Sequence, residues 1–354
     1  MLDLPLRPMR MIANSLLFLV LFTQTLNAQE KHLKNIRQLT FGGDNAEAYF
    51  SSDGKNLSFQ SNNKNWGLEC DQIFDLNIEK AAKDSTYIPP RISNGLGRTT
   101  CSYYMPNGKD ILFASTFKGS HVCPQTEIIK GKYLWGVFGD FDIYIANKKG
   151  KIKKQLTQVS GYDAEATVSP KGDKIVFTST RSGDLELWTM NIDGTNQQQI
   201  TNQLGYDGGA FFSPDGQKIV YRASRPTTEA EIADYKNLLA RGLVAPTNME
   251  IYTCNVDGSD VKKITNLGKA NWAPFFHPSG KKIIFSSNHG SEKGFNFQLY
   301  SINTDGTGLE QITSESNFNA FPMFSPDGKK LIFSSNRNNH GTRDTNLFIA
   351  DWED

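Results

Sequence analysis

Segments in which apolar and polar residues alternate recur along most of the chain, each about five residues long and bounded by Gly, Pro, Asp or Asn. Lys281-Lys282-Ile283-Ile284-Phe285, Glu250-Ile251-Tyr252-Thr253-Cys254 and Gln298-Leu299-Tyr300-Ser301-Ile302 are representative. A period of two, rich in β-branched and aromatic residues, predicts strands. Asp193-Gly194, Asp257-Gly258 and Asp305-Gly306 supply the positive φ that a two-strand reversal needs. One segment has a helical pattern instead. Thr228-Glu229-Ala230-Glu231 reads as a capping box, Ile232, Tyr235, Leu238 and Leu239 share a stripe, and Gly242 closes the end.

The strands follow a repeat. A turn followed by an apolar strand recurs six times: Ser51-Ser52-Asp53-Gly54, Met105-Pro106-Asn107-Gly108, Ser169-Pro170-Lys171-Gly172, Ser213-Pro214-Asp215-Gly216, His277-Pro278-Ser279-Gly280 and Ser325-Pro326-Asp327-Gly328. Five positions after each Gly stands an aromatic: Phe59, Phe113, Phe177, Tyr221, Phe285 and Phe333. Strand A precedes the turn, strand B follows it, and strand C comes next. Strand D ends in a Thr motif, as in Gln155-Leu156-Thr157, Gln199-Ile200-Thr201, Lys263-Ile264-Thr265 and Gln311-Ile312-Thr313. Four antiparallel strands repeated radially make a propeller blade. The last unit stops after strand C, Leu347–Ala350, and its missing strand is Ile36–Thr40 at the other terminus. The expected fold is all-β: a six-bladed β-propeller of four-stranded antiparallel blades, closed by the N-terminal strand in the last blade.

The glycines are spaced 54, 64, 44, 64 and 48 residues apart, so blades 2 and 4 each carry about 20 extra residues. Both inserts, 115–140 and 224–248, fall between strands B and C, and such loops share one face of a propeller, here called the top. Loops that grow on one face of a repeat architecture mark a binding face. The helix of the second insert is expected to pack on the propeller.

Composition narrows the function class. A formal net charge of +1 lacks the positive field that nucleic-acid binding requires. Arg7 and Arg10, the apolar stretch Ile12–Phe22 and Leu26-Asn27-Ala28 predict a signal peptide over residues 1–28, leaving the propeller over 29–354. The apolar stretch is too short to span a bilayer. A periplasmic or secreted monomer, with no membrane span after signal cleavage, is therefore expected. In that setting one disulfide is expected among Cys70, Cys101 and Cys123, with the pair left open, while Cys254 in strand C of blade 4 reads as a buried thiol.

Motifs for chemistry are sparse: the chain has no G-x-S-x-G, no H-E-x-x-H and no C-x-x-C. His121, His289 and His340 fall in top-face loops, where convergence on a metal is one reading. Alignment of the repeats on their glycines yields polar rings. Nine residues before each Gly stand Asn45, Thr99, Asp163, Asp207, Asn271 and Asn319. Seven before stand Glu47, Cys101, Glu165, Gly209, Ala273 and Phe321, and nine after stand Asn63, Phe117, Arg181, Arg225, His289 and Arg337. Both earlier rings enter the innermost strand, so Glu47, Asp163, Glu165 and Asp207, with Asn45, Asn271 and Asn319, are expected around the channel mouth, with Trp272, Phe318 and Phe321 adding apolar surface. Close carboxylates repel unless the Arg181, Arg225 and Arg337 ring, raised pKa values or a cation offsets them. Hard oxygen donors suit Ca²⁺. The structural alternative is that Asp163 and Asp207 pair with nearby Arg and hold adjacent blades in register.

The S-P-D-G-K-x-I-x-F turn, preceded by Asp and a small residue as in Asp207-Gly208-Gly209-Ala210-Phe211-Phe212, resembles the propeller repeat of TolB-type proteins over residues 36–352. Similar repeats occur in the propeller domains of prolyl-oligopeptidase-like peptidases. The resemblance implies a non-enzymatic exported binding module that recognises a segment of an envelope or extracellular protein or peptide, or a saccharide, at the channel mouth. No additional N-terminal domain is expected before the propeller, so membership of a Tol-type envelope complex is not implied. The alternative is a small-substrate hydrolase or lyase on carbohydrate or peptide, using Glu47, Glu165 and top-face His.

Overall fold

The computed structural model describes residues 30–292 and 294–354. The expected signal peptide lies outside the described residues. The chain forms a six-bladed β-propeller whose innermost strands are Asp44–Phe50, Thr99–Tyr104, Asp163–Val168, Asp207–Phe212, Asn271–Phe276 and Asn319–Phe324. Five blades have four antiparallel strands, and blade 1 has three. Its fourth strand shrinks to a bridge between Phe74 and Arg91, because Pro89 and Pro90 bring no N–H to a ladder.

Turn chemistry repeats with the sequence. The Ser51 hydroxyl donates to the Asp53 carboxylate at 2.7 Å, and the Ser213 and Ser325 hydroxyls do the same to Asp215 and Asp327. The six anchor glycines take φ between +62° and +72°, which a side chain would strain. Each aromatic that follows is buried and faces an aromatic on strand C: Phe59 with Phe74, Phe113 with Tyr144, Phe177 with Trp188, Tyr221 with Tyr252, Phe285 with Tyr300 and Phe333 with Phe348. Such a pair adds about 0.5–1.5 kcal/mol beyond its burial.

The Thr that ends strand D has a specific task. Its hydroxyl accepts the strand C N–H where the ladder runs out, at 2.8–2.9 Å for Thr157, Thr201, Thr265 and Thr313. Thr40 does this for Leu347 at 2.9 Å. Leu33–Gln38 pairs with Asn346–Trp352, placing Gln38 opposite Phe348, so the chain start completes the last blade as expected.

Every innermost strand carries a bulge against strand B. At each bulge one residue takes a φ of +47° to +59°: Glu47, Cys101, Glu165, Gly209, Ala273 and Phe321. A bulge rotates that residue off the alternation of its strand and re-aims its side chain.

The inserts meet over the top. Trp135–Gly136 of the first pairs antiparallel with Leu243–Val244 of the second. Lys132 pairs with Asp234 and Arg241 with Glu127. The expected helix spans Glu229–Leu239 with its capping box closed at Thr228 and Glu231, and it packs down through Leu238 and Tyr235. A second, shorter helix, Ile78–Lys83, was not anticipated. Cys70 and Cys123 form the disulfide, tying the first insert to blade 1, while Cys101 and Cys254 are free. Among the described residues no helix is long and apolar enough to cross a membrane.

Candidate functional site

The bulge ring and the paired inserts enclose a cup of about 400 Å³ at the top of the channel. Below it the channel is plugged. Tyr49, Tyr103, Phe211 and Phe275 stand two residues beyond the bulge in blades 1, 2, 4 and 5. Tyr49 and Phe211, from opposite blades, meet at 5.6 Å, and Phe211 meets Phe275 at 5.2 Å. These rings close the floor of the cup.

Its roof and one wall are apolar. Tyr133, Leu134 and Trp135 of the first insert face it, and Trp135 and Trp272 approach at 5.2 Å. The Trp272 indole N–H donates to Pro246 O at 2.7 Å, which fixes the ring, and Phe318 and Phe321 continue the surface. The opposite wall is polar, with Glu47, Gln60, Asp71, Arg98, Thr100 and Cys101.

Two glutamates occupy equivalent bulges with different surroundings. Glu165 accepts from Tyr206 OH at 2.6 Å, from Thr178 Oγ1 at 2.8 Å and from Gly209 N at 2.8 Å, and it pairs with the Arg222 guanidinium. Burial alone would raise its pKa, but Arg222 and these donors hold the carboxyl below its ordinary value. Arg222 reaches the channel because blade 4 has glycine at the bulge: a Cβ on Gly209 would stand 1.7 Å from Arg222 Nη1. The guanidinium also lies over the rings of Trp135 and Tyr206, 5.2 and 5.0 Å from their centroids.

Glu47 has no such network. The Cys101 thiol is the neighbour that favours its ionised form, and among the described residues Glu47 forms no ion pair. Burial, opposed by the Cys101 hydrogen bond, pushes its carboxyl up to about 7. Burial likewise holds the Cys101 thiol neutral, well above its ordinary value. At the rim Arg98 pairs with Asp71 at 3.4 Å.

The remaining expected site residues are placed elsewhere. Asp163, Asp207, Asn271 and Asn319 are buried inside the blades and do not line the cup. Arg181 pairs with Asp163 at 2.7 Å, Arg225 pairs with Asp207, and Arg337 donates to Asn319 Oδ1 at 2.9 Å. Asn319 and Asn271 also reach strand C of the preceding blade, at Gln298 and Glu250. His289 rests against Leu267 O at 3.1 Å. The Asp–Arg pairs of the structural alternative form, but each lies within one blade, and it is Asn271 and Asn319 that reach between blades. The bulge is the reason: the two earlier rings, two residues apart, would share a face in a regular strand and do not here. The four-carboxylate Ca²⁺ site therefore does not form, since only Glu47 and Glu165 line the cup and Arg222 occupies Glu165. Among the described residues no three His, Cys, Asp or Glu side chains converge as metal ligands, His121, His289 and His340 included.

Arg222, Tyr206, Gln60, Tyr49, Asp71, Arg98 and Trp135 were missed. One signal was available. Six residues after the anchor glycines stand Gln60, Ala114, Thr178, Arg222, Ser286 and Ser334, and the lone charge falls in the blade whose bulge is glycine.

A family model described as TolB beta propeller domain matches residues 137–240 and 234–349. A TolB of Agrobacterium tumefaciens superposes with a TM-score of 0.58 at 20% identity, over 88% of this chain and 91% of that one. TolB of Acinetobacter baumannii gives 0.52 at 17% identity, over 88% of this chain and 64% of that one. An oligogalacturonate lyase of Vibrio parahaemolyticus gives 0.51 at 12%, over 89% and 93%. Comparison with curated proteins finds no match. Identities this low speak for the fold alone.

Proposed function

The chain belongs to the TolB beta-propeller domain family, and from that premise we propose that it is an exported binding protein that holds a segment of a partner protein in the cup. The carrying observation is that two inserts from different blades pair over the channel mouth and roof a cup whose floor is closed by aromatic rings. A plugged channel accepts a chain end or a protruding side chain, not a threaded strand. Aromatic anchors beside a few polar groups are the composition of a specific pocket. The Cys70–Cys123 disulfide supports export, because such bonds persist in oxidising compartments. A saccharide with a free end would fit the same walls.

A photo-crosslinking residue at position 134, in the roof, tests this on intact envelope fractions, with position 309, half-exposed beside a turn on the opposite face, as control. A partner that labels from 134 and not 309, and whose purified form loses affinity for Trp135→Ala, is expected. Equal labelling from both positions would overturn the reading.

One observation favours a second reading. A carboxyl with a pKa near 7 facing a cavity has the range of a general acid or base. Turnover of a peptide or oligosaccharide by the wild type that stops in Glu47→Gln would establish the hydrolase or lyase in place of the binder.

A further inference from the structure

Among the described residues the cup is lined by five that carry charge, the acids Glu47, Asp71 and Glu165 and the bases Arg98 and Arg222. Geometry matches them unevenly. Arg222 takes Glu165 and Arg98 takes Asp71, so both bases are used and Glu47 is left. A carboxylate facing a poorly hydrated cavity is costly unless a cation reaches it. What surrounds Glu47 on each side is fixed: the Cys101 thiol from blade 2, the Glu165 carboxylate from blade 3, the Arg222 guanidinium from blade 4, Asp71 from the B–C loop of its own blade, and the Tyr49 hydroxyl two residues along its own strand. Burial is the largest influence on it, and Arg222 is the one positive charge among these neighbours.

Across from this carboxylate the cup is aromatic, and those rings already hold a cation. Arg222 lies over Trp135 and Tyr206. Trp135, Trp272 and Tyr133 form a cluster with contacts of 5.2–6.4 Å between ring centroids. An aliphatic stem carrying one positive charge finds in this cup apolar surface for its methylenes, ring faces for the charge and a carboxylate without a counter-ion.

We propose that the cup recognises a primary ammonium group of its partner, carried by a lysine side chain or by a chain N-terminus, with Glu47 as its counter-ion and Trp135 and Trp272 as the apolar wall. This rests on the cup being the binding site. The blind floor explains why an end or a side chain is taken. The bound ammonium completes the charge balance that the described residues leave open. Glu47 then ionises on binding and releases its proton, so affinity for a lysine ammonium, charged throughout this range, rises with pH until Glu47 is ionised in the free protein as well. A chain N-terminus, by contrast, loses its own charge at about pH 8.

Three probes separate the possibilities: N-acetyl-lysinamide has only the side-chain ammonium, norleucinamide only the ammonium at the chain start, and N-acetyl-norleucinamide has neither. Binding to the full chain is followed by NMR of the tryptophan side chains, and Glu47 by the glutamate carboxyl carbon signal that disappears in Glu47→Gln. At pH 7, where both ammonium probes are mostly charged, at least one of them binds about tenfold or more tightly than N-acetyl-norleucinamide. Affinity for N-acetyl-lysinamide rises about tenfold from pH 6 to pH 8, the change in ionised fraction for a carboxyl near 7. Saturation with it moves the Glu47 titration to lower pH. Glu47→Gln, confirmed folded by its thermal transition, loses the preference and the pH dependence but still binds N-acetyl-norleucinamide. Ammonium probes that bind no better than the neutral one overturn the inference, as does a pH dependence that survives in Glu47→Gln. Neutral binding that Trp135→Ala abolishes would, in that event, leave the cup standing as the site and remove only the ammonium.

Discussion

Glu47 and Glu165 hold the same place in their repeats, seven residues before the anchor glycine, with φ of +54° and +57°. The surroundings of the two residues differ in nearly every respect. Glu165 meets an arginine, a tyrosine, a threonine and a backbone amide, and its carboxyl is held ionised. Glu47 meets a thiol, and its carboxyl is pushed up to about 7. One position in the repeat thus serves as a strut in blade 3 and as an open functional group in blade 1. Neighbouring blades, not the position, make the difference. Arg222 enters because Gly209 leaves room, and among the described residues no cation takes the corresponding place beside Glu47.

The roof shows the same division. Near blade 1 the first insert is held by the Cys70–Cys123 bond, and near blade 4 by a two-residue ladder and two ion pairs.

The largest effect is expected from breaking the strut. Arg222→Met leaves the Glu165 carboxylate buried and unpaired, and costs about 3–5 kcal/mol in chemical denaturation. A loss below about 1 kcal/mol would show that Tyr206, Thr178 and Gly209 suffice without the cation. Removing the disulfide with Cys70→Ser/Cys123→Ser costs about 2–4 kcal/mol. In hydrogen exchange it deprotects the blade 1 end of the insert while Trp135–Gly136 stays protected. Loss of protection at both ends would make the roof a single unit.

Gly209→Ala places a Cβ against Arg222 in a left-handed backbone, and a cost of about 2 kcal/mol is expected in thermal unfolding. The same change at Gly268, also left-handed but with nothing within 4 Å, costs about 1 kcal/mol and separates backbone strain from the clash.

Glu47→Gln acts with the opposite sign. A carboxyl whose folded pKa lies above its unfolded value makes stability fall as pH rises from about 4.5 through about 7, then level off. The substitution removes that slope and stabilises the protein at pH 8. For Glu165, whose folded pKa is depressed, the contribution is present above the unfolded pKa and lost as pH falls through the folded one. If Glu47→Gln and Glu165→Gln gave pH profiles of the same sign, the contrast between the two residues would be wrong.

Much was legible along the chain, because the signals were local. Turn residues, period-two alternation, the aromatic five places after each glycine and the Thr closing strand D all act within a few residues. Counted in register they forced six blades and placed Ile36–Thr40 in the last one. The inserts were legible as departures from that register, and the capping box as a helix start. The rings, by contrast, were aligned correctly in sequence and assigned wrongly in space for Asp163, Asp207, Asn271 and Asn319.

That error marks the boundary. Strand order, turn type and ring closure follow from chemistry between near neighbours, and the sequence by itself determined them. Which side chains face the channel depends on a rotation at each bulge, because a shift of one residue sends a side chain to the other face. The Glu165–Arg222 pair spans 57 residues of chain and the Lys132–Asp234 pair 102, so no local pattern announces either. Only the closed ring brings Glu47 beneath a roof of tryptophan and leaves it without a cation, because burial and pairing are properties of the whole packing and not of any one segment.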